Sequence, residues 1–405
     1  MKVLVLNCGS SSIKYQFIDT NNPEPLAKGL VERIGMSTAV LTHQKLGDEK
    51  IRIVGEILDH KIGIEYVLAV LLSPTHGVIK DRNEIDAIGH RVVHGGESFS
   101  ESVLITPNVI QAIKDNIELA PLHNPANIKG IEACKTLLPN KPQVAVFDTA
   151  FHSTIPQCHY TYGLPMELYK KYKIRKYGFH GTSHKYVASR AAAMLGRPLE
   201  ELKIITAHLG NGASITAVKN GKSYDTSLGF TTLDGLLMGT RCGELDPGVL
   251  PYIMGKEELT VSEAITLITK HSGVVGVSGV GSDMREVEEA ALNGNERAQL
   301  ALNIYAYRIK KFIGAYIAIM NGCDAIVFTG GVGENSDIIR DMVCKDMDWL
   351  GIKLDAEKNK TRGFEIDMSA PDYKIRVLRI PTNEELVIAL DTAEIVEKEM
   401  KERSE

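Results

Sequence analysis

The chain has 405 residues, 44% of them hydrophobic and 24% charged, and its formal net charge at pH 7 is −5. These values are ordinary for a globular protein of two or three domains, and without a basic block they argue against a nucleic-acid partner. No apolar run approaches the ~20 residues that span a bilayer, so we expect no contact with a membrane. The six cysteines form no C-x-x-C pair, which predicts reduced thiols in a cytoplasmic protein.

The first residues predict a β-hairpin whose turn can bind phosphate. Residues 2–6 are an apolar run and residues 13–18 carry β-branched and aromatic side chains, so both segments favour strands. Between them lie Gly9 and the serines of residues 10–12, whose backbone N–H groups and hydroxyls can donate to an anion. Lys14 adds a positive charge. An ordinary tight turn is the alternative, because glycine and serine are common in turns.

Two strands in the first 150 residues carry polar side chains near their ends. Residues 85–94 are strand-like, run into a glycine pair and include Arg91. Residues 143–149 form a buried strand that reaches Asp148, an acid suited to position a metal ion or water. Sites in α/β proteins gather at strand ends, which favours a functional role for both residues. A salt bridge for Arg91 and a turn or cap role for Asp148 are the alternatives.

Apolar residues at helical spacing and helix-capping residues predict several helices. In chain order these helices cover residues 57–72, 107–119, 125 onward, 183–195, 262–269, 297–320 and 386–400. Three caps are expected: Asn124 ahead of Pro125, Ser183, and Thr382 in a capping box with Glu385. The capping box would explain Glu385 and leave Glu384 available to a metal ion.

The opening pattern recurs at residues 202–218, where a strand enters a glycine-rich turn and a second strand leaves it. Asn220-Gly221 then predicts a hairpin turn that leads to a third strand. We interpret the repeat as a duplicated domain, with a boundary near residue 151. Two such hairpins can grip a polyphosphate from both sides.

Further glycine-rich segments favour ligand binding. Residues 226–247 form a long predicted loop with Arg241 at its centre, and such loops are more often functional than not. Residues 324–336 predict a strand, a glycine-rich turn and a helix, the geometry for a nucleotide at a helix N-terminus. Close helix–strand packing is the alternative there. His180 and His184 are four residues apart, but without H-E-x-x-H they do not indicate a zinc protease.

Together these features fit phosphoryl transfer, which needs phosphate-binding turns, arginines on the transferring group and a few carboxylates for a divalent cation. The sequence has no dinucleotide fingerprint and no nucleophile elbow.

Nine segments between residues 3 and 385 resemble acetate kinases. They read, in order, LNCGSSSIKYQ, GHRVVHGG, APLHNP, FDTAFH, YGFHGTSH, HLGNGASI, GTRCGELDPG, TGGVGENS and PTNEE. The resemblance implies an α/β fold of two duplicated ribonuclease H-like, actin-like ATPase domains with βββαβαβα cores and an interdomain nucleotide cleft. The expected domains are residues 1–150 plus 385–405, and residues 151–384. The implied reaction is ATP + acetate ⇌ ADP + acetyl phosphate, with Mg²⁺, or Mn²⁺ as an alternative, in a homodimer.

The resemblance also assigns roles to residues of this sequence. The catalytic residues are Arg91, Asp148, His180 and Arg241. The residues of the acyl site are Arg91, Val93, Leu122, His123, Phe179 and Thr232. The ATP-binding residues are Ser10, Ser12, Lys14, His208, Leu209, Gly210, Asn211, Gly212, Asp283, Met284, Arg285, Gly331, Val332, Gly333, Glu334 and Asn335. The metal-binding residues are Asn7 and Glu384.

Chemistry and local sequence refine these roles. A carboxylate substrate is already ionised at pH 7 and needs no general base, so we predict that Asp148 positions Mg²⁺ or its waters. Thr232 stands where the family usually has proline, and Cys242 where it usually has serine. We therefore expect propionate to be accepted more readily than is usual in the family.

Two alternatives remain at this point. A propionate or butyrate kinase would share the fold and the motifs. An actin-like ATPase would hydrolyse ATP without any dependence on acetate, and it would have no use for paired arginines at Arg91 and Arg241.

Overall fold

The computed structural model of the chain describes residues 1–22, 24–121 and 123–404. The chain divides into two compact units, Met1–Ala150 with Asn383–Glu405, and Phe151–Thr382. Each unit is built around one β-sheet with helices packed on it. Among the described helices, none combines the length and the apolar content needed to cross a membrane.

The first unit is built on a mixed sheet. Its strands are β1 (Lys2–Cys8), β2 (Ser12–Asp19), β3 (Ala27–Glu32), β4 (Ala39–Lys45), β5 (Ile51–Gly55), β6 (Ala87–Val92), β7 (Val103–Leu104) and β8 (Gln143–Phe147). Their order in the sheet is β5-β4-β3-β2-β1-β6-β8-β7. β1 is antiparallel to β2 and parallel to β6, which is in turn parallel to β8. The helices of this part of the chain are α1 (His60–Leu71), α2 (Pro107–Asp115) and α3 (Asn124–Leu137).

Strand β1 is buried on both faces, which explains its nearly continuous apolar sequence. Leu4 and Leu6 pack with α1 and α3 residues such as Ile64 and Cys134 on one face. Val3 and Val5 pack on the other face, with a separate core cluster. The apolar run ends at Asn7 and Cys8, so the hairpin turn that follows lies at the end of a fixed central strand.

The second unit alternates helices and strands. Its elements are α4 (Gln157–Tyr160), α5 (Met166–Tyr172), α6 (Gly181–Leu195), β9 (Lys203–Leu209), β10 (Ala213–Lys219), β11 (Lys222–Thr226), α7 (Val249–Lys256), α8 (Val261–Lys270), α9 (Gly273–Ser278), α10 (Met284–Leu292), α11 (Glu296–Met320), β12 (Ala325–Thr329), α12 (Gly330–Asn335), α13 (Asp337–Cys344), α14 (Ala356–Lys360), β13 (Ile366–Asp367) and β14 (Arg376–Arg379). The sheet order is β11-β10-β9-β12-β14-β13. Short 3₁₀ turns complete the chain at Arg82–Glu84, Ile117–Leu119, Ala150–Thr154, Leu199–Glu201 and Asp348–Leu350.

The two sheets have the same core. The order β3-β2-β1-β6-β8 in the first corresponds to β11-β10-β9-β12-β14 in the second. The pairing also corresponds, because antiparallel pairs join the first three strands and parallel pairs join the rest. The predicted duplicated α/β fold is therefore confirmed.

Two helices pack on a different sheet from the strand that precedes them in the chain. Helix α6 follows β8 in the chain but packs on β9 and β12. Helix α15 (Glu384–Ser404) follows β14 but packs on β1, β6 and β8 of the first sheet. Residues at the start of α15 are therefore held beside the strands of the first unit.

The predicted caps at Asn124 and Ser183 are wrong. Helix α3 begins at Asn124 itself, whose side chain accepts from the backbone N–H of His94 at 3.2 Å and donates to its carbonyl at 3.0 Å. Helix α6 begins at Gly181, and Ser183 Oγ forms 2.8 Å hydrogen bonds with His208 Nδ1 and Thr382 Oγ1. Both side chains bind distant segments instead of the nearby helix N-terminus.

The predicted capping box at Thr382 and Glu385 is also wrong. Helix α15 begins at Glu384, and Asn383 Oδ1 accepts from the backbone N–H of Leu386 at 3.1 Å. Glu385 instead forms an ion pair with Lys14. A long-range charge partner has replaced the local hydrogen bond that the sequence pattern suggested.

We predict that burial of His90 makes the first unit lose stability in mild acid. His90 lies on β6, is 2% exposed, and its Nε2 is 2.7 Å from Gln143 Oε1. Burial lowers the pKa of His90 to about 4. Below pH 6.5 the unfolded chain therefore binds more protons than the folded chain, so the free energy of unfolding falls with the pH, by about 2 kcal/mol at pH 5.

Guanidinium denaturation of wild type and His90→Gln at pH 7.5 and 5.0 tests this prediction. The variant should lose about 2 kcal/mol less between the two pH values than wild type, because glutamine does not titrate. His76→Gln is the control, since His76 is exposed. An equal loss in wild type and His90→Gln would contradict the prediction.

Candidate active site

Adjacent parallel strands bring Arg91 and Asp148 together in the first unit. Arg91 pairs with Val146 in the register of β6 and β8, so Asp148 follows two residues later at the same edge. Arg91 Nη2 donates to Asp148 Oδ2 at 2.9 Å, and the Asp148 side chain is 1% exposed. The salt bridge considered for Arg91 is therefore present, and its partner is the acid at the next strand end.

The Arg91 guanidinium keeps one donor unused. Its Nε is buried and makes no hydrogen bond within the described part of the chain, and it lies 4.0 Å from Glu384 Oε2. Buried N–H groups are nearly always paired in folded proteins. A guanidinium N–H that makes no hydrogen bond can therefore donate to an oxygen atom of a ligand.

Glu384 completes a group of charges around Arg91. Burial raises the pKa of the Glu384 carboxyl above its ordinary value; Arg91 opposes the shift, and the charges of Asp148 and Glu385 add to it. Two carboxylates beside one guanidinium leave negative charge to be compensated. A divalent cation would supply that compensation.

The first hairpin turn lies beside this group. Asn7 on β1 pairs with Lys14 on β2, and Gly9 N donates to Ser12 O at 2.9 Å to close the turn. Ser10 is exposed and Ser12 is half-buried. Lys14 is exposed but forms an ion pair with Glu385, so its charge is shared with that carboxylate.

The residues assigned to the acyl site come from both units. In the first unit Val93 is buried and its N–H donates to Asn127 Oδ1 at 3.1 Å, while His123 precedes helix α3. In the second unit Phe179 is buried. Leu122 lies outside the described residues.

Arg241, His180 and the second glycine-rich turn meet in the second unit. A Cβ placed on Gly212 would lie 3.4 Å from Arg241 Nη1 and 3.7 Å from His180 Nε2. Arg241 Nη1 donates to the backbone carbonyl of Thr232 at 3.0 Å. The turn that can bind phosphate through its backbone is thus adjacent to a guanidinium and an imidazole.

His180 is held in place from two sides. Its Nδ1 is 2.8 Å from Ser214 Oγ, and its ring stacks on His208 with centroids 4.4 Å apart. Its φ of 57° is left-handed, which is uncommon for a residue other than glycine. The backbone thus adopts a costly conformation at the residue just before α6.

Sequence reasoning missed the buried support behind His180. His184 Nε2 is 2.7 Å from Ser214 Oγ, and His184 Nδ1 is 2.7 Å from Thr206 Oγ1. Burial lowers the pKa of His184 well below its ordinary value, and His152 lowers it further. The four-residue spacing of His180 and His184 is the available signal, because it places His180 at the start of the helix that carries His184.

A cavity of about 660 Å³ in the second unit gathers many of the nucleotide residues. Its lining comprises Gly210, Asn211, Gly239, Ser282, Asp283, Met284, Arg285, Glu288, Tyr305, Gly331, Val332, Asn335, Ser336 and Arg362. Its volume is typical of small-molecule sites. Asp283 caps the N-terminus of α10, and its Oδ2 lies 2.6 Å from Arg285 Nη2 in the first turn of that helix.

The other residues assigned to ATP are not in this lining. His208, Leu209, Gly212, Gly333 and Glu334 are absent from the lining, and Ser10, Ser12 and Lys14 belong to the first unit. The Glu334 carboxylate accepts from the backbone N–H groups of Gly330 at 2.9 Å and Thr382 at 3.2 Å. Glu334 therefore fixes backbone at the glycine-rich turn.

The first unit offers oxygen donors for a divalent cation. Asn7, Asp148 and Glu384 present amide and carboxylate oxygens, which are the ligands that Mg²⁺ prefers. Within the described residues no three or more His, Cys, Asp or Glu side chains are grouped to hold a metal ion. These donors fit a cation that takes part of its coordination from water and phosphate oxygens.

We predict that Gly239→Ala weakens nucleotide binding about tenfold. The Gly239 N–H donates to the Asn211 carbonyl at 3.1 Å, and a Cβ at residue 239 would lie 2.0 Å from Asn211 Oδ1. The Asn211 side chain must therefore move within the cavity wall. Calorimetric titration with ADP measures the effect. Gly255→Ala is the control, because a Cβ there meets no atom within 4 Å; equal affinities for both variants would contradict the prediction.

Comparisons with known proteins agree along the whole chain. Residues 2–390 match the model of the acetokinase family. An acetate kinase of Desulfitobacterium hafniense is 59% identical over 398 residues, which cover 98% of this chain and 100% of that protein. The crystal structure of Porphyromonas gingivalis acetate kinase has a TM-score of 0.95 and 52% identity, covering 98% of this chain and 99% of that one. A propionate kinase structure from Francisella tularensis has a TM-score of 0.91 and 44% identity, covering 97% and 99%. The chain belongs to the acetokinase family.

Proposed function

We propose that this chain catalyses reversible transfer of the γ-phosphoryl group of ATP to acetate, giving ADP and acetyl phosphate. The observation that carries the proposal is the Arg91 guanidinium, which is anchored on Asp148 and whose Nε makes no hydrogen bond within the described chain. A carboxylate substrate needs such a receptor, whereas ATP hydrolysis does not. The similarity to acetate kinases over 98% of this chain supports the same activity.

In the proposed reaction the acetate carboxylate attacks the γ-phosphorus directly. Acetate is ionised at neutral pH, so no residue has to remove a proton. Arg91 binds and orients the carboxylate, because a guanidinium offers several N–H donors in a fixed plane. Asp148 acts through Arg91, because its Oδ2 accepts the hydrogen bond that fixes Nη2.

We assign stabilisation of the transferring phosphoryl group to Arg241 and His180. Charge on the equatorial oxygens favours charge-assisted hydrogen bonds from a guanidinium and an imidazole. The Thr232 carbonyl orients Arg241, and the hydrogen-bonded series Thr206, His184, Ser214 orients His180. When the Thr206 hydroxyl donates to His184 and the Ser214 hydroxyl donates to His180 Nδ1, the neutral His180 ring carries its proton on Nε2. His180 Nε2 can then donate to phosphate.

Asn7, Asp148 and Glu384 would hold the divalent cation, which we propose to be Mg²⁺, with Mn²⁺ as an alternative. Bound there, the cation would neutralise charge on the phosphates. We also propose a cytoplasmic homodimer, on the basis of the family resemblance, with no role for nucleic acid or membrane lipid.

A propionate kinase is the second candidate. The Francisella tularensis propionate kinase structure is 44% identical to this chain, and Thr232 replaces the usual proline of the acyl site. Thr232 contacts Arg241 through its backbone carbonyl, so its side chain can differ without loss of that hydrogen bond.

We predict that Arg91→Lys lowers kcat/KM for acetate about 100-fold and raises KM for acetate. Lysine keeps the charge but loses the planar donor set that holds both Asp148 and a carboxylate. A hydroxamate assay for acetyl phosphate, with acetate varied at saturating ATP, measures the change.

Arg52→Lys is the matched control, because Arg52 is an exposed arginine of the same unit. It should leave the kinetics unchanged. Phosphate release from ATP without any dependence on acetate, in the wild-type protein, would overturn the proposed function in favour of an ATPase.

We predict that Thr232→Pro raises the preference for acetate over propionate about tenfold, the effect typical of one methylene group in an apolar pocket. The ratio of the two kcat/KM values measures the preference. Thr232→Ala removes the side chain without fixing the backbone, and it should shift the ratio toward propionate. Equal ratios in wild type and both variants would remove residue 232 from acyl selection.

A further inference from the structure

The first sheet divides between β1 and β6 at the point where its functional residues begin. The parallel pairing of β1 with β6 ends at Leu6 and His90. On its other side β6 stays paired further along, because the Asp148 N–H donates to the Val92 carbonyl at 2.9 Å. The chain leaves β1 toward β2 on one side and leaves β6 toward β8 and β7 on the other. The division therefore lies at a topological switch point, where ligands of α/β proteins bind.

The side chain of Asn127 bridges the two separated strand ends. Asn127 lies one turn into α3 and is 2% exposed. Its Nδ2 donates to the Cys8 carbonyl at 2.9 Å, and its Oδ1 accepts from the Val93 N–H at 3.1 Å. Each end of the buried carboxamide is therefore bonded to a different strand end.

The two backbone groups that Asn127 binds would bond to each other if the β1–β6 ladder continued. Extending its register from Leu6 and His90 by two residues places Cys8 opposite Val92. In this parallel ladder the Cys8 carbonyl would then accept from the N–H of the next residue, Val93. The Asn127 carboxamide therefore replaces one ladder hydrogen bond and keeps the strand ends apart.

The second sheet closes more tightly at the corresponding point. Strands β1 and β9 have the same length, and each ends just before a glycine-containing turn. The parallel ladder of β9 with β12 runs one residue further than its counterpart, to His208 and Thr329. A Cβ on Gly330 would lie 2.8 Å from the Leu209 carbonyl oxygen, so backbone meets backbone there. In the first unit a side chain is inserted instead.

Helix α3 can present the carboxamide because it lies directly against the end of β1. A Cβ on Gly130, one turn after Asn127, would lie 2.5 Å from Cys8 Sγ, so only glycine permits this approach. One turn before Asn127, the Asn124 side chain bonds to both backbone groups of His94, at 3.2 and 3.0 Å. The same helix therefore fixes the ends of both strands.

We propose that Asn127 is a positioning residue that sets the separation between the first phosphate turn and the first unit's part of the acyl site. Cys8 lies between Asn7 and that turn, while Val93 is assigned to the acyl site and follows Arg91 by two residues. One rigid amide thereby fixes the spacing between the groups that bind phosphate and those that bind the acetate carboxylate. The inference rests on the proposed function for the roles of these groups.

The test compares Asn127→Ala with wild type in three measurements on the full chain. These are a crystal structure, calorimetric titration with ADP, and hydroxamate kinetics with acetate varied at saturating ATP. Asn127→Ser is the milder second variant, because its hydroxyl is too short to reach both strand ends. Ala133→Gly is the stability control, since Ala133 is a buried residue of α3 in an apolar cluster. Thermal melting shows whether each variant is folded.

We expect the Val93 N–H to donate directly to the Cys8 carbonyl in Asn127→Ala, at about 2.9 Å, which draws Arg91 toward β1. KM for acetate should rise about tenfold and kcat should fall about tenfold, because a displacement of about 1 Å costs roughly 100-fold in rate. ADP affinity should match wild type, since the candidate nucleotide cavity lies in the second unit. Asn127→Ser should show the same pattern with smaller changes.

The control Ala133→Gly should lower the melting temperature and leave the acetate kinetics unchanged, because glycine weakens the helix without removing a polar contact. Strand ends that stay apart in both Asn127 variants would overturn the inference, whatever the kinetics. Closed strand ends with wild-type acetate kinetics would also overturn it, as would a kinetic loss shared by Ala133→Gly.

The crystal structures separate this inference from the proposed function, because they require no reaction. If wild type forms no hydroxamate but the strand ends close in the Asn127 variants, the proposed function fails and the spacing role of Asn127 stands. If wild type forms hydroxamate and the strand ends do not close, only the role of Asn127 fails.

Discussion

The buried pairing of Arg91 with Asp148 is the constraint on which the first unit's site depends. A buried charge without its partner costs about 3–5 kcal/mol, so the two residues require each other. The parallel register of β6 and β8 places them together, and neither strand could shift without separating them. Because Asp148 binds Nη2 while Nε makes no hydrogen bond within the described chain, the pair can still donate to an oxygen atom of a ligand.

The C-terminal helix ties this pair to the rest of the unit. Helix α15 packs on β1, β6 and β8 and carries Glu384 and Glu385 in its first turn. Glu384 lies near Arg91, and Glu385 pairs with Lys14 of the first hairpin. The return of α15 to the first sheet therefore has a chemical consequence, because it brings acids from residues 384 and 385 to a sheet built from residues 2–147.

Strands and tight turns could be predicted, because each depends on the residue types within a short segment of the chain. The apolar run before Asn7 and the glycine-rich turn at Gly210 each define a strand and its end without reference to anything distant. The caps could not be predicted in the same way. Asn124, Ser183 and Glu385 can each bind a nearby helix N-terminus, but each binds a distant partner in the folded chain, and sequence patterns contain no information about such partners.

Each unit contains a buried donor that makes no hydrogen bond within the described residues, for example the Arg91 Nε in the first and the Tyr305 hydroxyl in the second. Both are buried, so both lower the stability of the folded chain by themselves. At position 305 phenylalanine would remove this cost, whereas at position 91 an apolar residue would leave Asp148 buried without its partner. A binding function is the physical reason to keep such donors, since a ligand that supplies an acceptor to either one regains the energy that folding left unused.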